Sequence, residues 1–306
     1  MAEITASMVK ELRQKTGAGM MDCKKALQEC GGDMEQATDE LRKRGQAIAS
    51  KRAGRSANEG LIFARMQDNL GAMVELNCET DFVARNDEFK SFGQHLADLI
   101  LSHPSARDTE SLAALACNEH GKTVEQSITD LIGKIGEKIT LGRVVRLEGE
   151  RDDQTLLTSY IHPPGKLGVM IELKADKPET LASETIQALA RDLAMQVAAS
   201  APLGVSREDI PREIVDRERA IYQEQVAMQG KPEHIRDKIV EGKLGKFFKE
   251  SALLEQAYIK DPDRSVSRLI EAVGEDLNDT IQVVRFERFV IGEAPEQDPS
   301  TDQPQG

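Results

Sequence analysis

Few residues of this 306-residue chain have the types and spacing that support catalysis. Glu79 and Asp81 follow an apolar run and are the candidates for a general acid and a general base. Nothing near them in the sequence would move their pKa values apart, so we expect two solvated carboxylates at the end of a strand. The sequence also lacks a phosphate-binding glycine loop, a serine nucleophile elbow and a His-Glu-x-x-His zinc motif. We therefore expect a protein that is not an enzyme.

Cysteine and histidine do not form the patterns of a disulfide framework or a metal site. Cys23 and Cys30 are seven residues apart on a predicted helix, which separates them by roughly 10 Å along its axis, too far for a disulfide. Cys78 and Cys117 complete the set, and the sequence contains no Cys-x-x-Cys pair and no metal-spaced histidine. The sequence predicts buried, reduced thiols and neither a metal nor another cofactor.

The balance of charged and apolar residues restricts the partners of the chain. There are 40 Lys and Arg against 53 Asp and Glu, and the resulting net charge of −13 disfavours contact with nucleic-acid phosphates. No secretory signal pattern is found at the start, and no apolar run reaches the roughly 18 residues of a membrane span. We expect a cytoplasmic protein that binds neither nucleic acid nor membrane.

The first 50 residues predict a small domain of three short helices. Thr5 has the type and position of an N-cap, and Gly17 ends the first helical pattern as a glycine stop does. A second helix ends near Gly31, and Asp33 begins a third. A unit of this size has a thin core, and the polar run at 51–60 is predicted to be a solvated linker that lets the unit move.

An internal repeat occupies the middle of the chain. The sequence LGAMVELN at 70–77 is similar to LGVMIELK at 167–174, so the residue numbers of the two copies differ by 97. The same offset aligns the apolar positions that follow, such as Phe89 with Ile186. An apolar run precedes each copy across a short turn, an order typical of a β-hairpin followed by a helix. We infer that a unit of strands and a helix has been duplicated.

Two further apolar segments complete the predicted sheets. The segments VVRLE at 144–148 and VVRFE at 283–287 are similar and are predicted to be a third strand for each copy. The fold class that follows is α+β, with a core of two duplicated small antiparallel sheets backed by helices. The predicted divisions are a three-helix domain (1–50), a linker (51–60), two halves of the core (61–140 and 141–204), a helical hairpin (205–250), the end of the core with a C-terminal module (251–293) and a disordered tail (294–306).

Residues 205–250 predict an antiparallel helical hairpin. On the first arm Ile214, Ile221 and Met228 recur every seven residues, with Val215 and Tyr222 beside them. The return arm carries the apolar residues Ile235, Ile239 and Phe247. Two arms of this length bury little surface alone, so we expect the hairpin to protrude and dock on a partner. A hairpin that lies back on its own core is the alternative.

The segment Thr80-Asp81-Phe82-Val83 is present in only one copy of the repeat. At the offset of 97 its counterpart, residues 177–180, lacks the Asp-Phe pair. Residues found in one copy alone are candidates for function, because the shared scaffold does not require them. From the residues, Phe82 is either a staple packed under its own helix or a wedge offered to a partner.

The adjacent Met20 and Met21 allow a similar choice. A Met pair at a helix start either completes the thin core of the three-helix domain or presents adaptable side chains to another protein.

Two segments give the chain a specific resemblance to a known family. They are LRQKTGAGMMDCKKAL at 12–27 and VELNCETDFVAR at 74–85. In these segments, and overall from about residue 2 to 293, the chain resembles the bacterial translation elongation factors Ts, which are guanine nucleotide exchange factors of elongation factor Tu. The tail after residue 293 lies outside the resemblance.

The resemblance implies which residues contact the partner near its nucleotide. It implies that Thr80, Asp81, Phe82 and Val83 intrude beside the nucleotide and dislocate Mg²⁺. It also implies a ubiquitin-associated-like fold for the N-terminal domain, whose residues Met20 and Met21 would contact the nucleotide-binding domain of elongation factor Tu.

Further contacts are implied elsewhere in the chain. His162 would touch another domain of elongation factor Tu, and Leu269 and Ile270 in a C-terminal helix would add contacts. The hairpin dimerises some members of the family, so a homodimer is a possible assembly here. The chain would bind elongation factor Tu both with GDP and without a nucleotide.

Two other functions remain open from the residues alone. An adaptor, in which a ubiquitin-associated-like unit recruits proteins to a passive scaffold, requires a buried Phe82. A hydrolase that uses Glu79 and Asp81 requires a pocket with perturbed carboxylates.

Overall fold

The structure is a computed structural model that describes residues 4–117, 121–149, 154–229 and 232–293, so the predicted tail at 294–306 lies outside the described residues. The described chain mixes helices with small sheets, which confirms the α+β class. Its helices are α1 (Ala6–Thr16), α2 (Met20–Glu29), α3 (Met34–Arg52), α4 (Asp81–Ala84), α5 (Asp87–Ser102), α6 (Thr109–Ala114), α7 (Val124–Ile135), α8 (Pro178–Leu181), α9 (Glu184–Ser200), α10 (Arg212–Met228), α11 (Glu233–Ser251) and α12 (Val266–Leu277). Its strands are β1 (Glu59–Gln67), β2 (Leu70–Cys78), β3 (Ile139–Glu148), β4 (Thr155–His162), β5 (Leu167–Ala175), β6 (Ala257–Tyr258), β7 (Asp261–Ser265) and β8 (Ile281–Val290).

The N-terminal domain consists of the three predicted helices. The Thr5 side chain caps α1 by accepting from the Met8 N–H, and Gly17 ends the helix in the left-handed region at φ 71°. Asp33 caps α3 by accepting from two backbone N–H groups. The apolar faces of the three helices meet in a core of six buried residues, Val9, Leu12, Cys23, Ala26, Leu27 and Ala37. The thin core expected from the sequence is therefore present.

The segment at 51–60 connects α3 to β1, and most of its residues are exposed, while its role as a mobile linker stays a prediction. Helix α3 continues to Arg52 and packs against α7, and β1 begins at Glu59. Between them, the Lys138 ammonium donates to the carbonyl oxygens of Ala53 and Arg55, both at 2.8 Å. These contacts tie the segment to its own unit, because its carbonyl oxygens accept from a lysine 85 and 83 residues later in the chain, which a local sequence reading does not reveal.

The strands form three small sheets. One has the order β1-β2-β3, another has the order β4-β5-β8, and β6 pairs with β7. Strands β4 and β5 are antiparallel, with Thr155 opposite Lys174 and His162 opposite Leu167. Each three-stranded sheet thus combines a β-hairpin with a third strand from much later in the chain.

The structure confirms the duplication at an offset of 97. Strands β2 and β5 start and end 97 residues apart, and their burial patterns along nine residues are the same. The one-turn helices α4 and α8 keep this offset, and α5 corresponds to α9. Packing therefore requires the same order of buried and half-buried positions in both strands. The exposed turns that follow the strands are not restricted in this way.

The third strands also correspond, but at a different register from the one that the sequence suggests. In one sheet the Arg143 guanidinium donates to Glu75 at 2.8 Å, and in the other Arg285 donates to Glu172 at 2.7 Å. Arg143 and Arg285 each lie four residues after the start of their strand. The similarity between VVRLE and VVRFE aligned Arg146 with Arg285 instead, an error of three residues, because repeated valines and arginines fit more than one register.

Two compact units divide the described chain. The first comprises residues 4–65, 72–146 and 289–293, and its main core surrounds the fully buried Phe89. The second comprises 66–71 and most of 147–288, and its core lies between β5, α9 and α12. The predicted finer divisions at 140, 204 and 250 remain predictions.

The helical hairpin is formed by α10 and α11, which pack against each other. Its core consists of Val226, Val240 and Leu244, with Val215 and Tyr222 partly buried beside them. Of the two adjacent lines that the sequence offers on the first arm, the one through Ile214, Ile221 and Met228 does not pack, because Ile221 and Met228 are 40% and 77% exposed. The line that packs is displaced by one residue, which an amphipathic sequence with apolar residues on two adjacent positions does not distinguish.

In the part of the chain that the structure describes, no helix combines the length and apolar content that crossing a membrane requires.

All four cysteines are free, and three are buried. Burial raises the pKa of Cys23, Cys78 and Cys117, and for Cys78 the value is about 12. Only the half-buried Cys30 has appreciable exposure.

We expect an aromatic disulfide reagent at pH 8 to modify one thiol of the native protein rapidly, because thiolate and access are both required. Four thiols should react after denaturation in guanidinium. Cys30→Ser should abolish the fast phase, whereas a fast phase of two or more thiols in the native protein would contradict the burial described here.

Candidate partner-binding site

The turn that follows β2 carries the predicted wedge, and we call residues 80–85 the Phe82 turn. Thr80 has an extended backbone and caps α4, since its hydroxyl oxygen accepts from the Val83 N–H at 3.4 Å. The C-terminal Arg85 N–H donates to the Asp81 carbonyl oxygen at 3.2 Å. The segment is therefore a single helical turn closed by its own cap.

Phe82 points away from the fold. Its side chain is 79% exposed, whereas the next residues, Val83 and Ala84, are 8% and 3% exposed and belong to the core of the first unit. The reading of Phe82 as a staple under its own helix is wrong. The turn buries one side and offers a large aromatic ring on the other.

Thr80 is bonded through each of its polar backbone and side-chain groups. Its N–H donates to Glu137 Oε2 at 3.0 Å, and its hydroxyl donates to Glu137 Oε1 at 2.9 Å. The Cys78 thiol donates to the Thr80 carbonyl oxygen at 3.1 Å. Burial, and then the Glu137 charge, raise the pKa of Cys78 to about 12, so this thiol stays protonated and remains a donor.

Glu79 is a bonded carboxylate and not the solvated one that the sequence predicts. Its side chain is only 13% exposed and accepts from the Lys138 backbone N–H at 2.7 Å, Arg52 at 2.8 Å and Arg55 at 3.0 Å. The Lys138 N–H, followed by the two arginines, lowers the pKa of Glu79 to about 2. The expectation failed because the arginines lie 24 and 27 residues earlier in the chain.

Asp81 behaves as the sequence predicts. Its side chain is 41% exposed and pairs with Arg85 at 2.8 Å, four residues later on the same turn. Glu79, with a pKa near 2, has no proton to donate near neutral pH and is a weak base. Glu79 therefore does not suit the role of general acid in a hydrolase.

Met20 and Met21 lie at the start of α2 and are 58% and 72% exposed. The reading in which they complete the core of the three-helix domain is wrong. They line a groove of about 680 Å³ whose other lining residues are Ile4, Ala6, Val9, Lys10, Arg13 and Lys24. The groove thus combines an apolar floor with three basic side chains, which suits a partner surface with acidic and apolar residues.

His162 is exposed at the end of β4. Its Nδ1 lies 2.8 Å from the Tyr160 hydroxyl, and the two rings are tilted at 54° with centroids 5.9 Å apart. The ring is therefore held in one orientation while remaining available to a partner.

Leu269 and Ile270 occupy a different environment from the other predicted contact residues. They are 8% and 6% exposed and pack into the core of the second unit. The structure gives them a packing role, and their contact with a partner stays a prediction with little exposed surface to support it.

Among the described residues, no three side chains of His, Cys, Asp or Glu are grouped so that they could hold a metal ion.

Comparison with known proteins identifies the family. A family model described as Elongation factor TS matches residues 79–293. A protein named Elongation factor Ts from Aquifex aeolicus is 47% identical over 291 residues, which cover 93% of this chain and 96% of the relative. One from Prosthecochloris aestuarii is 46% identical over 296 residues, covering 95% of this chain and 100% of the relative. This chain belongs to the elongation factor Ts family. It is accordingly a translation elongation factor of protein biosynthesis, as the resemblance of residues 12–27 and 74–85 predicted.

Sequence reasoning identified the exposed residues of this family member better than their supports. The residues alone left Phe82, Met20 and Met21 open between a packed and an exposed position, and the resemblance assigned them to partner contact. Glu137 and Arg52 were not assigned a supporting role, because their partners Thr80 and Glu79 lie 57 and 27 residues away in the chain.

Exposed and buried phenylalanines should respond in opposite ways to truncation. Phe82→Ala should change the free energy of unfolding by less than about 0.5 kcal/mol, as surface substitutions do. Phe89→Ala, at a fully buried position, should cost about 3–5 kcal/mol. Guanidinium denaturation followed by circular dichroism measures both, and a Phe82→Ala loss of the Phe89→Ala size would show that the ring packs in its own fold.

The bonded Glu79 should stabilise the protein in a pH-dependent way. Because its pKa falls from 4.5 to about 2 on folding, its contribution is present above pH 4.5 and is lost as the pH falls through 2. At pH 7, Glu79→Gln should cost about 2 kcal/mol, the size expected for hydrogen bonds to a charged group.

The control is Asp98→Asn, which removes the exposed pair with Arg65 and should cost less than about 0.5 kcal/mol. Denaturation at pH 7 and pH 3 should show a smaller pH dependence for Glu79→Gln than for wild type, and an equal dependence would contradict the assignment.

Proposed function

We propose that this protein is a guanine nucleotide exchange factor that binds elongation factor Tu·GDP, intrudes near its Mg²⁺ site and promotes the release of GDP so that GTP can bind. The observation that carries the proposal is the exposed Phe82 on an anchored turn. Membership of the elongation factor Ts family supports it. The activity involves no covalent chemistry by this chain, so we propose a binding protein of the cytoplasm and not an enzyme.

The Phe82 turn has the properties that a wedge requires. A ring that is already in water loses no packing of its own when it inserts into a partner, and it gains about 1.5–3 kcal/mol when it is buried there. Thr80, Asp81 and Val83 accompany the ring as the proposed insertion segment. The exposed Asp81 carboxylate enters with the ring and brings negative charge close to the diphosphate, which weakens the binding of an anionic nucleotide.

Displacement of Mg²⁺ accounts for faster nucleotide release. A divalent cation bound to a diphosphate is the largest local positive charge in such a site, and it joins the nucleotide to its protein. Once the wedge has moved the partner's Mg²⁺ ligands, the phosphates lose that neutralising charge. GDP then dissociates faster.

Thermodynamic linkage sets what the rest of the chain must do. If this protein weakens GDP binding by a given factor, GDP weakens the binding of this protein by the same factor. The complex without nucleotide must therefore be tight, which requires contacts beyond one ring. Met20 and Met21 in the basic-rimmed groove and the exposed His162 are the proposed additional contacts, the first pair from a domain that we propose is ubiquitin-associated-like.

The hairpin is the proposed surface for a homodimer. Ile221 and Met228 are exposed on α10 and lie seven residues apart, so they share one face that the hairpin itself does not cover. The net charge of −13 favours a protein partner and disfavours direct contact with nucleic acid or with an anionic membrane.

The alternative function as an adaptor requires a buried Phe82, and the Phe82 side chain is exposed. The exchange proposal and an adaptor are separated by their effect on nucleotide release.

Phe82→Ala should slow the stimulated release of fluorescent GDP from elongation factor Tu by about tenfold or more, within the range of allosteric couplings between sites. Stopped-flow fluorescence with excess unlabelled GDP measures the rate. The matched control is Glu179→Ala, which truncates the exposed residue at the same place in the second copy of the repeat and should release GDP at the wild-type rate. A Phe82→Ala variant as active as wild type would falsify the wedge.

A further inference from the structure

Glu137 devotes its whole carboxylate to one residue of the Phe82 turn. Both of its oxygens accept from Thr80, one from the N–H and one from the hydroxyl. Two parallel bonds to an ionised acceptor fix orientation as well as distance. Because Thr80 is the cap of the one-turn helix, its orientation determines the direction in which Phe82, two residues later, leaves the surface.

The second copy of the repeat shows what the shared scaffold needs by itself. There the Lys177 N–H donates to Asp279 at 3.2 Å, in the place of the bond from Thr80 to Glu137. Asp279 is also bonded by the Thr280 N–H at 2.7 Å and by the Thr180 side chain. With the Asp176 backbone as a further donor, its carboxylate is shared among four residues, whereas both oxygens of Glu137 accept from one.

The different bonding of Glu137 and Asp279 goes together with a different exposed side chain on each turn. The first copy presents Phe82 and the second presents Glu179 at the equivalent position. A charged side chain is stable in water without support. An aromatic ring gains by folding onto nearby apolar surface, so only the first turn needs a second bond to keep its direction.

We propose that Glu137 is a positioning residue for the exchange activity: it acts through Thr80 to keep the Phe82 ring directed outward before the partner arrives. This inference rests on the proposed function. A ring that had to be reordered on binding would lose part of its binding free energy to that ordering. Pre-organisation by Glu137 avoids this loss.

A double-mutant cycle tests the inference. Glu137→Ala should slow stimulated GDP release by about tenfold in the wild-type background, as expected when charge-assisted bonds that fix a contacting segment are lost. In the Phe82→Ala background the same substitution should have no further effect, because the two residues act as one unit. Asp279→Ala is the matched control and should leave release at the wild-type rate.

A second readout follows the turn itself. Amide hydrogen exchange at Thr80 and Val83 should accelerate in Glu137→Ala by at least about tenfold relative to Leu76 in β2 and should be unchanged in Asp279→Ala. If Glu137→Ala does not fold, Glu137→Gln keeps one of the two acceptor oxygens and leaves the Thr80 cap in place, so it should give a smaller effect in the same direction.

The possible outcomes separate the two proposals. Release by Glu137→Ala at the wild-type rate, or an equal loss in both backgrounds of the cycle, overturns the positioning role while the Phe82 wedge stands. If wild type does not accelerate release at all, the proposed function fails and the positioning role in exchange fails with it. Amide exchange at Thr80 then still decides whether Glu137 holds the turn.

Discussion

The presentation of one aromatic ring to water is the constraint on which the rest of the structure depends. Burial of such a ring normally gains about 1.5–3 kcal/mol, so the chain has to prevent its collapse onto the surface. A one-turn helix is too short to persist by propensity alone. Tertiary contacts stabilise this short helix instead. Val83 and Ala84 are buried in the core, and Thr80 is bonded to Glu137 and Cys78.

The two copies of the repeat show that one scaffold can carry turns with different exposed residues without a change in its buried strands. The same burial pattern along β2 and β5, and the same arginine–glutamate pair within each sheet, show that both copies solve one packing problem. Differences accumulate outside the buried positions, where packing does not restrict them. The turn of one copy presents Phe82 at such a position, while the turn of the other presents Glu179.

Sequence signals within one or two turns of the chain predict much of this fold. The features that they do not predict depend on contacts between distant residues. Thr5 and Gly17 marked the ends of α1 because capping depends on residues within one turn, and the repeat was visible because burial imposes the same pattern twice. The hairpin contact line and the register of β8 depend on a choice between adjacent apolar positions, which only the packed partner decides. Phe82 was singled out because only one copy of the repeat has it, whereas its support by Glu137 joins residues 57 apart and has no local signature.

The two ion pairs of Glu79 differ in their sensitivity to salt, because they differ in exposure. Arg52, the last residue of α3, and Arg55, which follows the helix, both bind the Glu79 carboxylate directly before Thr80, so they link the three-helix domain to the base of the turn. Arg55 is 58% exposed and Arg52 only 26%, and mobile ions screen the outer charge more than the inner one. Rising ionic strength therefore weakens the pair of Arg55 with Glu79 first, while the pair of Arg52 keeps the end of α3 bonded to Glu79.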